Sequence, residues 1–332
     1  MHSLGQGLSC IGRRGPALLV LSMALGAAFA PLATAAYQVL PISAFLLTLG
    51  SFLSASLAPA EKSLGWWRIL LALAWVGLGV PLIAAVLVFQ LRLDPALEAG
   101  VLLSVLAPPV GSAAAIAAML GLQPRLALLA SIALTLVAPL SMPAFATAFG
   151  VGVAVDMTHL AWRLAVIIGS AAALAQAARH WRHRVETVLP DQVAAAGVAV
   201  VGLMIVGLAM MSGIRAHWAS NPGAFTVFAM AAIGVNLGAG FVGSLLFASW
   251  GVRDAFTIGL VSGNRNVTLA WAAAGSALPA ATEAYVAACV LPVLALPLAI
   301  KGVISARARL LGVAGRHKPS VSPAAVSVPP KA

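Results

Sequence analysis

The chain has 332 residues, of which 62% are hydrophobic and only 8% charged, and a formal net charge of +11. A soluble globular chain carries about 25% charged residues, so this composition excludes a water-soluble domain and indicates a polytopic membrane protein. Continuous apolar runs rather than short alternating segments exclude a membrane barrel and leave helices, which satisfy their own backbone hydrogen bonds. The basic residues sit beside the apolar runs. That pattern fits the charge bias of membrane loops, so the lipid bilayer is the expected partner and nucleic acid is not.

About twenty apolar residues cross a bilayer, and on that measure the chain divides into ten predicted spans: 17–35, 39–58, 66–90, 96–120, 125–148, 158–179, 192–212, 223–249, 254–276 and 282–305. Residues 1–16 read as a tail and 306–332 as a second, disordered tail rich in Pro, Ser and Val. The first span has a rival reading as a signal peptide, because Arg13-Arg14 precedes an apolar stretch that ends in Ala33-Thr34-Ala35. With the N-terminus inside, fifteen Lys and Arg fall on the cytoplasmic side and three (Arg92, Arg163, Arg215) outside. Both termini are therefore expected in the cytoplasm, in a multi-pass protein of the inner (plasma) membrane. The two cysteines, Cys10 and Cys289, imply neither a disulfide framework nor a metal site, and no obligatory protein partner is evident in the sequence.

The spans separate into five plus five around residues 149–157, giving repeats over 17–148 and 158–305. An odd number of spans per repeat inserts the second upside down relative to the first, as in many secondary transporters. The fourth span of each half is interrupted. In the first half the interruption is Ala107-Pro108-Pro109-Val110-Gly111-Ser112, where two prolines remove two donors and clash with the preceding turn. In the second it is Ser262-Gly263-Asn264-Arg265-Asn266, where Gly263 relaxes the backbone. Arg265 is the one charge at mid-span, and all eight acidic residues lie at span ends. A lone buried cation costs roughly 2.5–3.5 kcal/mol on insertion scales unless solvated or paired. Arg265 is accordingly expected to face an aqueous cavity and receive an anion.

At these segments the chain resembles the bile acid:sodium symporter family, within the superfamily that includes arsenite exporters. The resemblance covers about residues 17–305. It rests on the span count, on Ala107-Pro108-Pro109-Val110-Gly111-Ser112 with Ser131, Pro139 and Pro143 downstream, and on Gly263-Asn264-Arg265-Asn266-Val267-Thr268-Leu269-Ala270, which is similar to the family's Gly-x-Gln-Asn segment. It implies a panel domain and a core domain, with the fourth and ninth helices crossing in the core and substrate bound beside the crossing. It also implies sodium, yet the ion-site residues have diverged. The family's Ser-Asn pair falls on Ala113-Ala114, its acidic residue on Val261, its Gln on Arg265 and one fifth-helix hydroxyl on Ala127; the third-helix Gln has only Gln90, at the span's end. Ser131 and Thr135 are what could remain of an ion site. A hard cation wants several oxygens, one of them anionic where possible, so Arg265 reads as an electrostatic substitute for the bound cation.

The expected function is secondary transport, by alternating access, of an organic anion, bile-acid-like or a small carboxylate, without a cofactor and without sodium coupling. Arg265 offers a planar fork of donors to a carboxylate. Gly111 and Ser112 begin a half-helix whose amides and dipole also favour an anion. Asn264, Asn266 and Thr268 are candidate substrate contacts, with helix capping the commoner task for the asparagines. A sodium-coupled symporter with a remodelled ion site, or a sensor or scaffold of the same fold that does not transport, are the alternatives. An arsenite-type exporter lacks its fourth-helix thiol, and an enzyme lacks any catalytic cluster at depth. Asn236 reads as an interhelical hydrogen-bonding residue, Thr48, Ser51 and Ser54 as a packing face, and the basic run at Arg179–Arg184 as a lipid-facing loop.

Overall fold

In the computed structural model of the chain, the described residues are 2–56, 65–151, 156–181, 191–274 and 278–310. Among them the chain is helical, and its one strand-like feature is an isolated two-residue bridge. The 182–190 part of the basic loop and residues 311–332 of the expected disordered tail lie outside the described residues, as do residues 152–155 of the loop between the halves.

In chain order the helices are α1 (His2–Ala28), α2 (Ala30–Gln38), α3 (Leu40–Ser56), α4 (Trp66–Ala74), a π-turn over Trp75–Gly79, α5 (Val80–Leu91), α6 (Pro95–Leu106), α7 (Ala113–Met119), α8 (Pro124–Ala148) and α9 (Met157–His180). They continue as α10 (Gln192–Ser220), α11 (Pro222–Leu246), α12 (Val252–Gly263), α13 (Val267–Ala274) and α14 (Ala280–Leu310). Side chains mark several starts. The carboxylates of Asp94, Asp156 and Asp191 and the amide oxygen of Asn221 accept from the first free amides of α6, α9, α10 and α11.

Among the described residues six helices are long and apolar enough to cross a membrane, or up to eight if each of two bent pairs counts as one crossing. The all-α, polytopic membrane class is therefore what the described residues form. The bent pairs redraw the N-terminal region. Leu4–Gly15 and Ala17–Ala28 meet at 83°, and Ala30–Gln38 and Leu40–Ala55 at 68°. The segment before Ala17, expected as a tail, is helical and lies on α10. Glycine allows that approach: a Cβ at Gly12 would stand 2.3 Å from the Val193 carbonyl oxygen, and one at Gly26 2.8 Å from that of Leu208.

The helices pack in two neighbourhoods. In one, α1, α2 and α3 gather around α10; in the other, α11 lies against α12 and α14, and α6 against α5 and α14. Helix α8 packs on α7, α9 and α12, α3 reaches α9 and α13, and α10 lies against α14, so the two neighbourhoods touch. Two interrupted segments, α6–α7 and α12–α13, meet each other between them, at Pro109 and Arg265. Helices α6 and α12 have 12 residues each, roughly 18 Å at 1.5 Å per residue, so each spans about half a bilayer.

Candidate functional site

The two interruptions touch through their backbones. The Val110 amide donates to the Asn264 carbonyl at 2.9 Å and the Asn266 amide to the Pro108 carbonyl at 2.7 Å, with Pro109 and Arg265 paired between them. Each break thus satisfies part of the other. This is how open backbone can persist at membrane depth, where an unpaired amide or carbonyl finds no water.

The carbonyls left over converge on Arg265. In an unbroken helix the Ser262 carbonyl would receive the Asn266 amide and the Ala107 carbonyl the Gly111 amide. The first of those donors is committed across the crossing, and Pro108-Pro109 prevents the second geometry. A third orphan comes from the π-turn. The Val80 amide bonds the Trp75 carbonyl, one residue further back than in an α-helix, so Val76 would have to receive from residue 81. Residue 81 is proline and has no N–H. Arg265 donates to all three: Nε to Ser262 at 2.8 Å, Nη1 to Ala107 at 3.2 Å and Nη2 to Val76 at 2.9 Å. Two of these carbonyls stand at the C-terminal ends of α6 and α12, where the helix dipole favours a cation.

This arrangement corrects the expected guanidinium open to water. Arg265 is 4% exposed. Its partners are carbonyl oxygens, so its solvation comes from the protein, because two breaks and a π-turn leave three acceptors within reach of one planar fork. Three of its five N–H groups are engaged among the described residues. On either side of it lie small voids. One, of about 20 Å³, is bordered by Ser104, Asn236, Ser262 and Tyr285; the other, of about 10 Å³, is bordered by Leu47, Leu203, Asn266 and Thr268. The larger has room for about one water molecule and neither admits a carboxylate, so the site is closed in this conformation.

The remaining predicted residues separate by role. Asn266 caps α13, its side-chain oxygen accepting from the Leu269 amide at 3.2 Å. Asn264 accepts from Asn236 Nδ2 at 3.1 Å, while its own Nδ2 is buried without a partner among the described residues. Asn236 Nδ2 also donates to the Gly263 carbonyl at 3.0 Å, which places Asn236 as the interhelical hydrogen-bonding residue the sequence suggested. Gly263 is needed for that contact, since a Cβ there would lie 2.3 Å from the Asn236 carbonyl oxygen.

Thr268 is buried beside the smaller void. Ser131 donates to the Ala127 carbonyl at 2.8 Å and reaches the Val110 carbonyl at 3.3 Å, with Thr135 buried one turn further on. Gly111 lies so close to α3 that a Cβ would meet Ser51 Oγ at 2.1 Å. Ser51 itself, like Thr48 and Ser54, donates to the carbonyl one turn back. Ser112 precedes α7 and makes no side-chain cap.

Sequence reasoning missed the third span's part in the site. Trp75 Nε1 donates to Ser262 Oγ at 3.0 Å, and Val76 supplies a carbonyl to Arg265. The signal was available in Gly77-Leu78-Gly79-Val80-Pro81, a breaker cluster inside an apolar run. Tyr285, whose buried hydroxyl lacks a partner among the described residues, was missed as well. Compared with protein-family models and with curated proteins, the chain finds no match in either.

Proposed function

We propose that this protein is a secondary transporter of an organic anion, a bile-acid-like molecule or a small carboxylate, working by alternating access across ten spans. Eight possible crossings together with the two interrupted segments agree with that number. The single observation that carries the reading is the Arg265 guanidinium held on three backbone carbonyls where two interrupted helices cross. Backbone carbonyls at broken-helix ends are what transporters of inverted-repeat design use to hold a coupling cation. Here a covalently attached cation takes them, which favours the substituted-cation reading over a sodium-coupled symporter with a remodelled site.

An anion would be drawn to the same charge. Two N–H groups of Arg265 are not committed to the three carbonyls, and Asn264 Nδ2 is a further buried donor without a partner among the described residues. The void beside Asn266 and Thr268 is bordered by Leu47 of α3 and Leu203 of α10. Separation of α3 and α10 from the crossing would widen it into a substrate cavity, and the reverse movement would return the closed form.

The test is uptake into proteoliposomes of labelled bile-acid-like anions and of small carboxylates. Saturable uptake that an unlabelled anion competes away is the expected result. Empty-liposome rates with every anion class would leave the sensor or scaffold reading in its place.

A further inference from the structure

An apolar groove of about 400 Å³ lies on the flank of the crossing. Three helix faces make it. Ile83 and Leu87 of α5, Leu97 and Val101 of α6, and Gly234 and Gly238 of α11 recur at spacings of four, each pair on one face of its helix. The two glycines open it, since a Cβ at either position would meet nothing within 4 Å. Along α5 the lining runs from Val80 to Leu91, roughly 16 Å at 1.5 Å per residue, which is about the hydrocarbon depth of one leaflet. Its volume is in the range of ligand pockets, and its wall is almost wholly hydrocarbon.

The two ends of the groove say what fits it. At the α5–α6 turn, the lining residues Leu91 and Leu93 flank exposed Arg92, with Asp94 next in the chain and Glu98 beside Leu97. Asp94 already receives the Ala96 amide through one carboxylate oxygen. Both charge signs therefore stand at this mouth, one cation and two carboxylates. A purely anionic headgroup would meet the carboxylates, whereas a phosphate followed by an ammonium satisfies Arg92 and the acidic pair together. At the inner end stands Trp75, whose indole N–H holds Ser262 in the crossing.

The geometry points to a resident zwitterionic phospholipid, phosphatidylethanolamine in type. One acyl chain lies in the groove between α5, α6 and α11, and the headgroup spans Arg92 and the Asp94–Glu98 pair. The chain's end supports Trp75 and the π-turn that presents the Val76 carbonyl to Arg265. This site does not depend on the transport reading, and its test needs no transported substrate.

The experiment is native mass spectrometry of the full chain in mild detergent, with phosphatidylethanolamine and phosphatidylglycerol of equal chain length added in competition. The wild type is expected to hold one phosphatidylethanolamine, preferred about fivefold, the order of one exposed ion pair. Gly238→Leu, which fills the groove, is expected to lose it. Gly169→Leu, a control on α9 where a Cβ also meets open space, is expected to keep it. Glu98→Gln, which removes a carboxylate that repels an anionic headgroup while Arg92 still meets either phosphate, is expected to keep a chain but lose most of the preference. A Gly238→Leu protein that binds as the wild type does, loss in the Gly169→Leu control, or a wild type that binds no phospholipid or prefers phosphatidylglycerol, would each overturn the proposal.

Discussion

Arg265 changes meaning between the sequence and the structure, and the reason is physical. A lone guanidinium at membrane depth reads as a ligand anchor because no carboxylate lies nearby in the sequence. The chain, however, also breaks its backbone three times at that depth, and the acceptors those breaks release are invisible to a search for side-chain partners. Arg265→Ala is expected to strand the Val76, Ala107 and Ser262 carbonyls together. At about 1–3 kcal/mol per buried unsatisfied group, the loss in unfolding free energy should be about 3–9 kcal/mol, read by denaturant or thermal unfolding in mild detergent. Arg265→Lys should fall between, since an ammonium keeps the charge but not the fork that reaches three acceptors. Asn236→Leu leaves the Gly263 carbonyl and the Asn264 amide oxygen without their donor, and should cost about 2–6 kcal/mol by the same measurement.

Among the elements, the interruptions were legible in the residues, their crossing was expected only through the family resemblance, and the backbone pairing between them was not legible. Pro108-Pro109 and Gly263 mark the breaks, because proline and glycine act on the backbone locally. Nothing in either segment declares that the Val110 amide will meet the Asn264 carbonyl, since that pairing depends on packing far apart in the chain. The π-turn was legible in principle from Gly77, Gly79 and Pro81. Pro81→Ala returns an N–H that competes for the carbonyls released there. The penalty of Arg265→Ala should therefore shrink by about 1 kcal/mol in the Pro81→Ala background, a coupling that a double-mutant cycle in unfolding free energy detects. Strict additivity would show that the π-turn carbonyl owes nothing to the proline. Helices α11 and α12 are held close by their small residues: a Cβ at Gly259 would stand 2.0 Å from Ser244 Oγ and 2.5 Å from the Gly240 carbonyl oxygen. Gly259→Val should destabilise by about 1–3 kcal/mol through overpacking.

At the scale of the whole molecule, composition alone announced the all-α membrane class, because hydropathy and backbone satisfaction leave a helical chain few alternatives. The N-terminal boundaries were harder, since α1 bends by 83° within itself, between Gly15 and Ala17, and α2 meets α3 at 68°, with all three helices packed on α10. The proposed orientation is testable on the native thiols. Cys10 is exposed and Cys289 buried, so a membrane-impermeant thiol reagent should label intact cells only when Cys is introduced at Arg92, and should reach Cys10 only after permeabilisation. The account's central claim is that a fixed guanidinium serves where a captured cation otherwise would, and the direct test is organic-anion uptake into proteoliposomes with and without an inward sodium gradient, for the wild type and for Arg265→Gln. The claim predicts equal wild-type uptake in both conditions and, in Arg265→Gln, weaker uptake that sodium does not restore, because Val261 and Ala113-Ala114 still offer no side-chain oxygen. Wild-type uptake driven several-fold by the sodium gradient would contradict it.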